Sequence, residues 1–297
     1  MRTINANYPN AISDILMNRY LNLFFLFLIA FILGTHNLRA TDRSFAFVYE
    51  SRTLQGGLRD LEVWTTYKYG REDFFSAVEN RIEFEVGLGK KLQTSFYLNL
   101  GASTVPFTTY IPITTTTGET IFEPQTDLKT KFDIGFSNEW KYQLTDPITN
   151  TIGSALYCEV TIFSNEFELE GKVILDKNID RFLTAFNLVG ELEWEAKEQN
   201  SKTVWKRETK LEADYGLSYA ITKSFNIGLE ARSNNVFSHD EGFEHSALYI
   251  GPNISYRQEN WWLSFAALPQ IIDLKNGGRT LEDDEKLNAR LVFAYSF

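Results

Sequence analysis

From residue 60 to the C terminus, apolar and polar side chains alternate with a period of two. In Leu61-Glu62-Val63-Trp64-Thr65-Thr66-Tyr67-Lys68-Tyr69 the odd positions are apolar, aromatic or Thr. Further on, Ile82, Phe84, Val86 and Leu88 share one parity, while Arg81, Glu83, Glu85 and Gly87 share the other. Phe167, Leu169, Val173 and Leu175 likewise oppose Glu166, Glu168, Glu170 and Lys172. Alternate residues of a strand face opposite sides, so these segments are strands with one apolar and one polar face. The pattern predicts twelve of them, near 60–70, 79–89, 92–101, 128–144, 151–163, 165–176, 180–196, 203–220, 224–236, 245–258, 260–271 and 286–297. Several exceed the ~5–6 residues of ordinary globular strands and reach the ~9–11 that a tilted strand needs to cross a bilayer.

The connections also alternate. Gly89-Lys90-Lys91, Asp146-Pro147, Thr222-Lys223 and Glu259-Asn260 mark short turns. Longer polar links are predicted at 102–127, 197–202, 237–244 and 272–285, with the Ser164-Asn165 turn as the exception on their side. Short turns at one end and long loops at the other are the arrangement of outer-membrane barrels. The last strand adds a second signal. Every odd position from Leu287 is apolar, and Leu291, Phe293, Tyr295 and the terminal Phe297 share one face. This is similar to the sorting signal that the barrel-assembly machinery reads.

Aromatic placement favours the same fold. Trp140 and Tyr142 precede one short turn, Tyr219 and Phe225 flank a second, and Tyr256 and Trp261 flank a third. Rings at strand ends form the interfacial girdle of a membrane barrel, whereas a soluble sandwich concentrates them in strand centres. The fold class expected is therefore all-β: a transmembrane, antiparallel, up-and-down β-barrel of about twelve strands over residues 60–297. The location expected is the outer membrane of a Gram-negative bacterium, with outer-membrane lipid as a partner.

The N-terminal region reads as export machinery. Asn18-Arg19-Tyr20 precedes the apolar run Leu23–Leu33, which is too short for a comfortable transmembrane helix. Residues 1–40 are expected to be a signal peptide, with cleavage after Ala40 and an upstream extension before Met17. Residues 41–59 then form a periplasmic lead-in or an extra strand.

Composition changes the picture in two respects. Phe (24), Tyr (14) and Trp (6) make 15% of the 297 residues aromatic, so the chain can bury a large apolar surface and is not disordered. Three of the 29 basic and one of the 39 acidic residues lie before Thr41, which leaves 26 and 38 and a net charge of −12. Such a surface disfavours nucleic acid. The lone Cys158 falls on the apolar parity with Leu156 and Val160 and reads as a small apolar residue.

If the apolar parity meets lipid, the other parity lines the lumen. The lumen-lining candidates are Glu83, Glu85, Glu159, Glu168, Glu170, Lys172, Glu191, Glu193, Glu195, Glu212, Asp214, Glu230, Arg232 and Arg290. Carboxylates outnumber bases, so a continuous water path would favour cations. The expected function is a passive, porin-like channel or transporter-like passage for small solutes. The alternatives are a structural or surface-interaction barrel with a plugged lumen, and a lipid-acting barrel enzyme. Nucleophilic catalysis needs a Ser–His arrangement. The mature chain offers only His239 and His245, beside Ser238 and Ser246, and neighbours on a strand face opposite ways. Both histidines are expected to be solvated loop residues. No enzyme activity, catalytic residue, metal site or cofactor is expected.

One hairpin carries a resemblance. Glu168-Leu169-Glu170-Gly171-Lys172-Val173-Ile174-Leu175, followed by Ala185-Phe186-Asn187-Leu188-Val189-Gly190-Glu191, resembles the central hairpin of small transporter-like barrels. These are the phenol-degradation-pathway-type proteins and related uncharacterised barrel families. The resemblance implies an outer-membrane barrel for passage of small molecules and carries over no catalytic residue.

Overall fold

The computed structural model describes residues 43–199, 201–238, 242–282 and 284–297. The expected signal peptide, with Met17, Leu23–Leu33 and Ala40, lies outside the described residues, as does His239. Twelve strands follow one another: β1 (Arg59–Tyr69), β2 (Ser76–Gly87), β3 (Leu92–Thr114), β4 (Thr120–Thr145), β5 (Gly153–Phe163), β6 (Glu166–Ile179), β7 (Phe182–Gln199), β8 (Lys202–Ala220), β9 (Phe225–Ser238), β10 (Gly242–Arg257), β11 (Trp261–Asp273) and β12 (Leu287–Ser296). Each pairs antiparallel with its sequence neighbours, and β12 closes on β1 from Asp60↔Ser296 to Tyr69↔Leu287. Closure removes the unpaired strand edge, which lipid could not satisfy.

The alternating pattern sets the two faces. Phe96 and Phe136 point outward and are 55% and 65% exposed, whereas Glu62, Glu139 and Glu230 are at most 2% exposed. An apolar exterior around a polar interior is the construction of a barrel with lipid as its outer solvent. Cys158 is among the exposed outward residues.

The strand count agrees with the sequence, but several connections do not. Residues 102–127 are mostly not a loop, because β3 and β4 run on to Thr114 and from Thr120 as a long hairpin. Hydroxyl pairs Thr104–Thr130 and Thr108–Thr126, each at 2.9 Å, stitch the extension together. Beyond Pro106 both faces are largely exposed, and the alternating Val105, Phe107, Ile111 and Ile113 stand opposite Lys129, Asp127, Glu123 and Ile121, so neither face is apolar throughout. In the same way β7 runs on to Gln199 and β8 starts at Lys202, and β9 runs to Ser238 and β10 starts at Gly242. Among the described residues the long connection left lies between β11 and β12, and it folds back. Leu274 N donates to Ser246 O (2.7 Å), Glu72 N to Leu281 O (2.7 Å) and Lys286 N to Gly70 O (2.6 Å).

Residues 43–58 form neither an extra strand nor an external lead-in. Up to Leu54 they run inside the barrel, where Phe45, Ala46, Val48 and Ser51 are fully buried, and residues 55–57 emerge exposed. Leu58 and Gly57 bond to Gly87 at the end of β2, which places the exit of this segment at the end of the barrel where β1 begins and β12 stops.

Candidate functional site: an occupied, acid-rich lumen

The inner segment is gripped by side chains of the wall. Glu230 on β9 accepts three successive backbone N–H bonds, from Ala46 (2.8 Å), Phe47 (2.7 Å) and Val48 (3.1 Å). Asn187 on β7 accepts from Tyr49 N (2.6 Å) and donates to Tyr49 O (2.9 Å), as a strand residue would. Asp176 on β6 receives Ser51 N (3.2 Å) and Ser51 Oγ (2.6 Å), and Gln93 on β3 receives Leu54 N (2.8 Å). Asn253 on β10 donates to Ser44 O (2.6 Å). Buried backbone groups must be paired, and here five wall side chains take the place of a ladder.

Packing completes the fit. Phe45 and Val48 lie against Leu183 and Ala185 of β7. Phe47 meets the guanidinium groups of Arg290 (4.2 Å) and Arg232 (4.8 Å), and Tyr49 meets Arg43 and Lys172 (each 4.2 Å). The wall makes room for this. A Cβ at Gly216 would stand 2.7 Å from the Phe45 ring, and one at Gly153 would stand 2.5 Å from Ser51 Oγ.

The predicted lumen residues other than Glu159 fall into three groups on the inner face. Glu83 and Glu85 of β2 are buried beside Asp60 and Glu62 of β1. Glu230, Arg232 and Arg290 lie against Phe47, and Glu212 and Asp214 join them through Arg232. Within this group Arg232 is 2.6 Å from Glu212 and 3.6 Å from Asp214, and Arg290 donates to Thr66 Oγ1 (2.9 Å). Glu168, Glu170, Lys172, Glu191, Glu193 and Glu195 form the third group on β6 and β7. Lys172 pairs with Glu170 (3.0 Å), and Lys197 with Glu195 (2.7 Å). Lys210 of β8 is shared between Glu191 (3.0 Å), Glu193 (2.7 Å) and Glu208 (3.7 Å). Glu159 of β5 takes the guanidinium of Arg81, which reaches it from β2 past two intervening strands. Paired groups therefore brace much of the wall. One lysine among three carboxylates leaves the β7–β8 stretch negative.

At the other end of the barrel, the 274–286 segment bends over the lumen. Arg71 holds Glu285 (2.6 Å), and Asp284 receives Asn234 Nδ2 (3.3 Å) and pairs with His245 Nε2 (2.9 Å). His245 is thus a buried strand residue, not a solvated loop residue. A register shift between Phe243 and His245 buries it together with its neighbour Ser246, against simple alternation. The Ser246 hydroxyl goes to Asn235 Oδ1 (2.6 Å).

The aromatic and terminal residues occupy the outer face. Trp140 and Tyr142 are each 46% exposed near the 146–152 turn. Tyr219 lies 4.9 Å from Phe182, and Tyr256 lies 5.6 Å from Trp261, in both cases between ring centroids. Phe225 opens β9 opposite Tyr256. On β12, Leu291 and Phe293 point outward, each 41% exposed, and Tyr295 pairs across to Leu61 and Trp261. Phe297 N donates to Arg59 O (3.0 Å), and its ring lies 6.2 Å from Phe84.

Sequence reading missed the neutral grips Asn187, Gln93 and Asn253, and the shared Lys210. All four sit on the inward parity, so the pattern places them without revealing what they hold.

Comparison with known proteins places this architecture. The COG4313 outer membrane channel from Pseudomonas putida F1 superposes with a TM-score of 0.52 at 11% identity, covering 83% of this chain and 98% of that one. The KdgM porin in complex with disordered oligogalacturonate gives 0.45 at 11% identity over 80% and 99%, and the NanC porin gives 0.44 at 11% over 79% and 98%. The first likeness is one of fold, that of a bacterial outer-membrane barrel. No curated protein matches the sequence. A family model matches residues 37–297, and on that extent the chain belongs to DUF6662, a family of unknown function.

Proposed function

We propose that this protein is an outer-membrane channel for small solutes, biased toward cations and held closed at its periplasmic end by residues 43–58. One observation carries the reading. The inner segment is attached through wall side chains such as Glu230, Asn187 and Asp176, not through a strand ladder. It can leave the lumen while every ladder bond of the barrel stays in place. The fold-level likeness to a channel supports passage through such a barrel. The excess of carboxylates around Lys210 supports the cation bias, because a low-dielectric wall focuses their field along any water path. A second reading, a structural barrel with a permanently filled lumen, is favoured by Phe47 lying against both Arg232 and Arg290.

The selectivity experiment uses protein lacking residues 43–55 in planar bilayers under a KCl gradient. The reversal potential should indicate cations. It should move toward zero when Glu191, Glu193 and Glu195 become Gln, and it should weaken as salt shortens the field. Anion preference would overturn the proposal.

A further inference from the structure

The pairing of β1 with β2 produces an unusual patch at the plugged end of the barrel. Asp60 stands directly opposite Glu85, and Glu62 directly opposite Glu83, all four on the inner face. Like charges directly opposite one another across strands repel. The next inward neighbour repeats the problem. The Tyr97 hydroxyl lies between Glu83 (2.8 Å) and Glu139, and its single proton can serve only one of them.

The patch encloses a small cavity of about 20 Å³, lined in part by Glu62, Glu83, Glu85 and Glu139. A space of this size admits one water-sized particle. Five acids and three bases line it, and Asp60 beside it makes a sixth acid. The three bases, Arg43, Arg52 and Lys141, balance only half of these six acids. Arg43 lies over the Tyr49 and Trp64 rings and stands 3.7 Å from Glu62, and Arg52 faces Glu50 at 3.7 Å.

We infer that Asp60, Glu62 and Glu85 bind a hard divalent cation, with Ca²⁺ as the best-fitting ion. One oxygen from each of the three lies within 4.8 Å of the others. Oxygens bound to a common Ca²⁺ at about 2.3–2.6 Å are separated by no more than roughly twice that distance. All donors are carboxylate oxygens, the set that suits Ca²⁺ or Mg²⁺ over thiophilic metals.

A second observation points to a ligand independently of the cluster. Glu83 is not one of the three, yet it lines the same cavity, is 2% exposed, and its Oε2 has no hydrogen-bond partner. Glu85 Oε1 is in the same condition at 5% exposure. Buried carboxylate oxygens without donors call for a cation or a proton. A bound divalent ion would neutralise the opposed pairs and tie the β1–β2 hairpin beneath the inner segment. The inference does not depend on whether the channel conducts.

The test takes protein purified in detergent and stripped with EDTA, and titrates it calorimetrically with Ca²⁺ and separately with Mg²⁺. The expected result is one ion per chain at this site, Ca²⁺ ahead of Mg²⁺, with an upward shift in the temperature of heat-modified gel migration. Glu85→Gln should weaken binding at least ten-fold and abolish the shift. Glu83→Gln serves if that variant does not fold. Glu168→Gln, in a separate carboxylate cluster with Glu166 and Glu193, should leave both readouts unchanged. No binding of either ion to the wild type would overturn the inference and leave protons as the neutralising species. Unchanged affinity in Glu85→Gln, or binding lost only in Glu168→Gln, would also overturn it.

Discussion

Replacing Glu230 with Ala should release the inner segment without opening the barrel. Glu230 is fully buried, and its two oxygens hold three consecutive amides at 2.7–3.1 Å. A hydrogen bond to a charged group contributes about 1.5–3 kcal/mol. The three are not additive, because the carboxylate was itself desolvated and water can enter the space it leaves. Counting one bond for each oxygen at the lower figure gives a net loss of about 3 kcal/mol. At 1.4 kcal/mol per tenfold, that is an increase of about 100-fold in the population that exposes these amides. Hydrogen exchange followed by mass spectrometry reads this directly. Amides 46–48 should exchange about 100-fold faster in Glu230→Ala, with Tyr49 and Ser51 following, while amides of β8 and β9 keep their protection. Unchanged exchange at 46–48 would refute the idea that Glu230 pins the segment. Loss of β9 protection alongside it would refute the idea that segment and barrel are separable.

Two further outcomes concern the barrel itself. Cys158→Arg puts a charge on the outer face at the middle of eleven-residue β5, and should cost about 2–4 kcal/mol in urea unfolding from vesicles, whereas Ile152→Arg, just before the strand, should cost no more than about 1 kcal/mol; equal costs would contradict the placement of the outer face in lipid. Deleting Phe297, whose ring contacts Phe84 and whose amide bonds to Arg59, should reduce the folded, heat-modifiable band on gels, and an unchanged yield would count against a role for the terminal residue in assembly.

The barrel was legible in the sequence because each wall has a different solvent on each side. Where one face met lipid and the other charged groups, as at Arg81–Leu88, alternation showed the strand and its direction. In 102–127 the apolar parity of Val105, Phe107, Ile111 and Ile113 stands across from Lys129, Asp127, Glu123 and Ile121, so neither face is apolar as a whole and the hairpin read as a loop. The inner segment was hidden for the opposite reason. It has no periodicity of its own, because its backbone bonds go to side chains and not to a strand. Its signal lay in its partners. Leu291-Val292-Phe293-Ala294 is apolar on both parities, and Val292 and Ala294 are fully buried inside the barrel. A strand apolar on both faces must be covered on both. The inward Gly216 marks a close approach in the same way. His245 escaped because a bulge changes parity without altering composition.

Conductance with and without the inner segment tests the central claim most directly. Purified wild-type protein in planar bilayers should show little or no current at low voltage. Protein lacking residues 43–55, shown to be folded by heat-modifiable migration, should give discrete cation-selective openings, and adding back a peptide of residues 43–55 should close them. Folded, truncated protein that passes no current would contradict the account, as would a wild type that conducts equally well with residues 46–48 still protected from exchange.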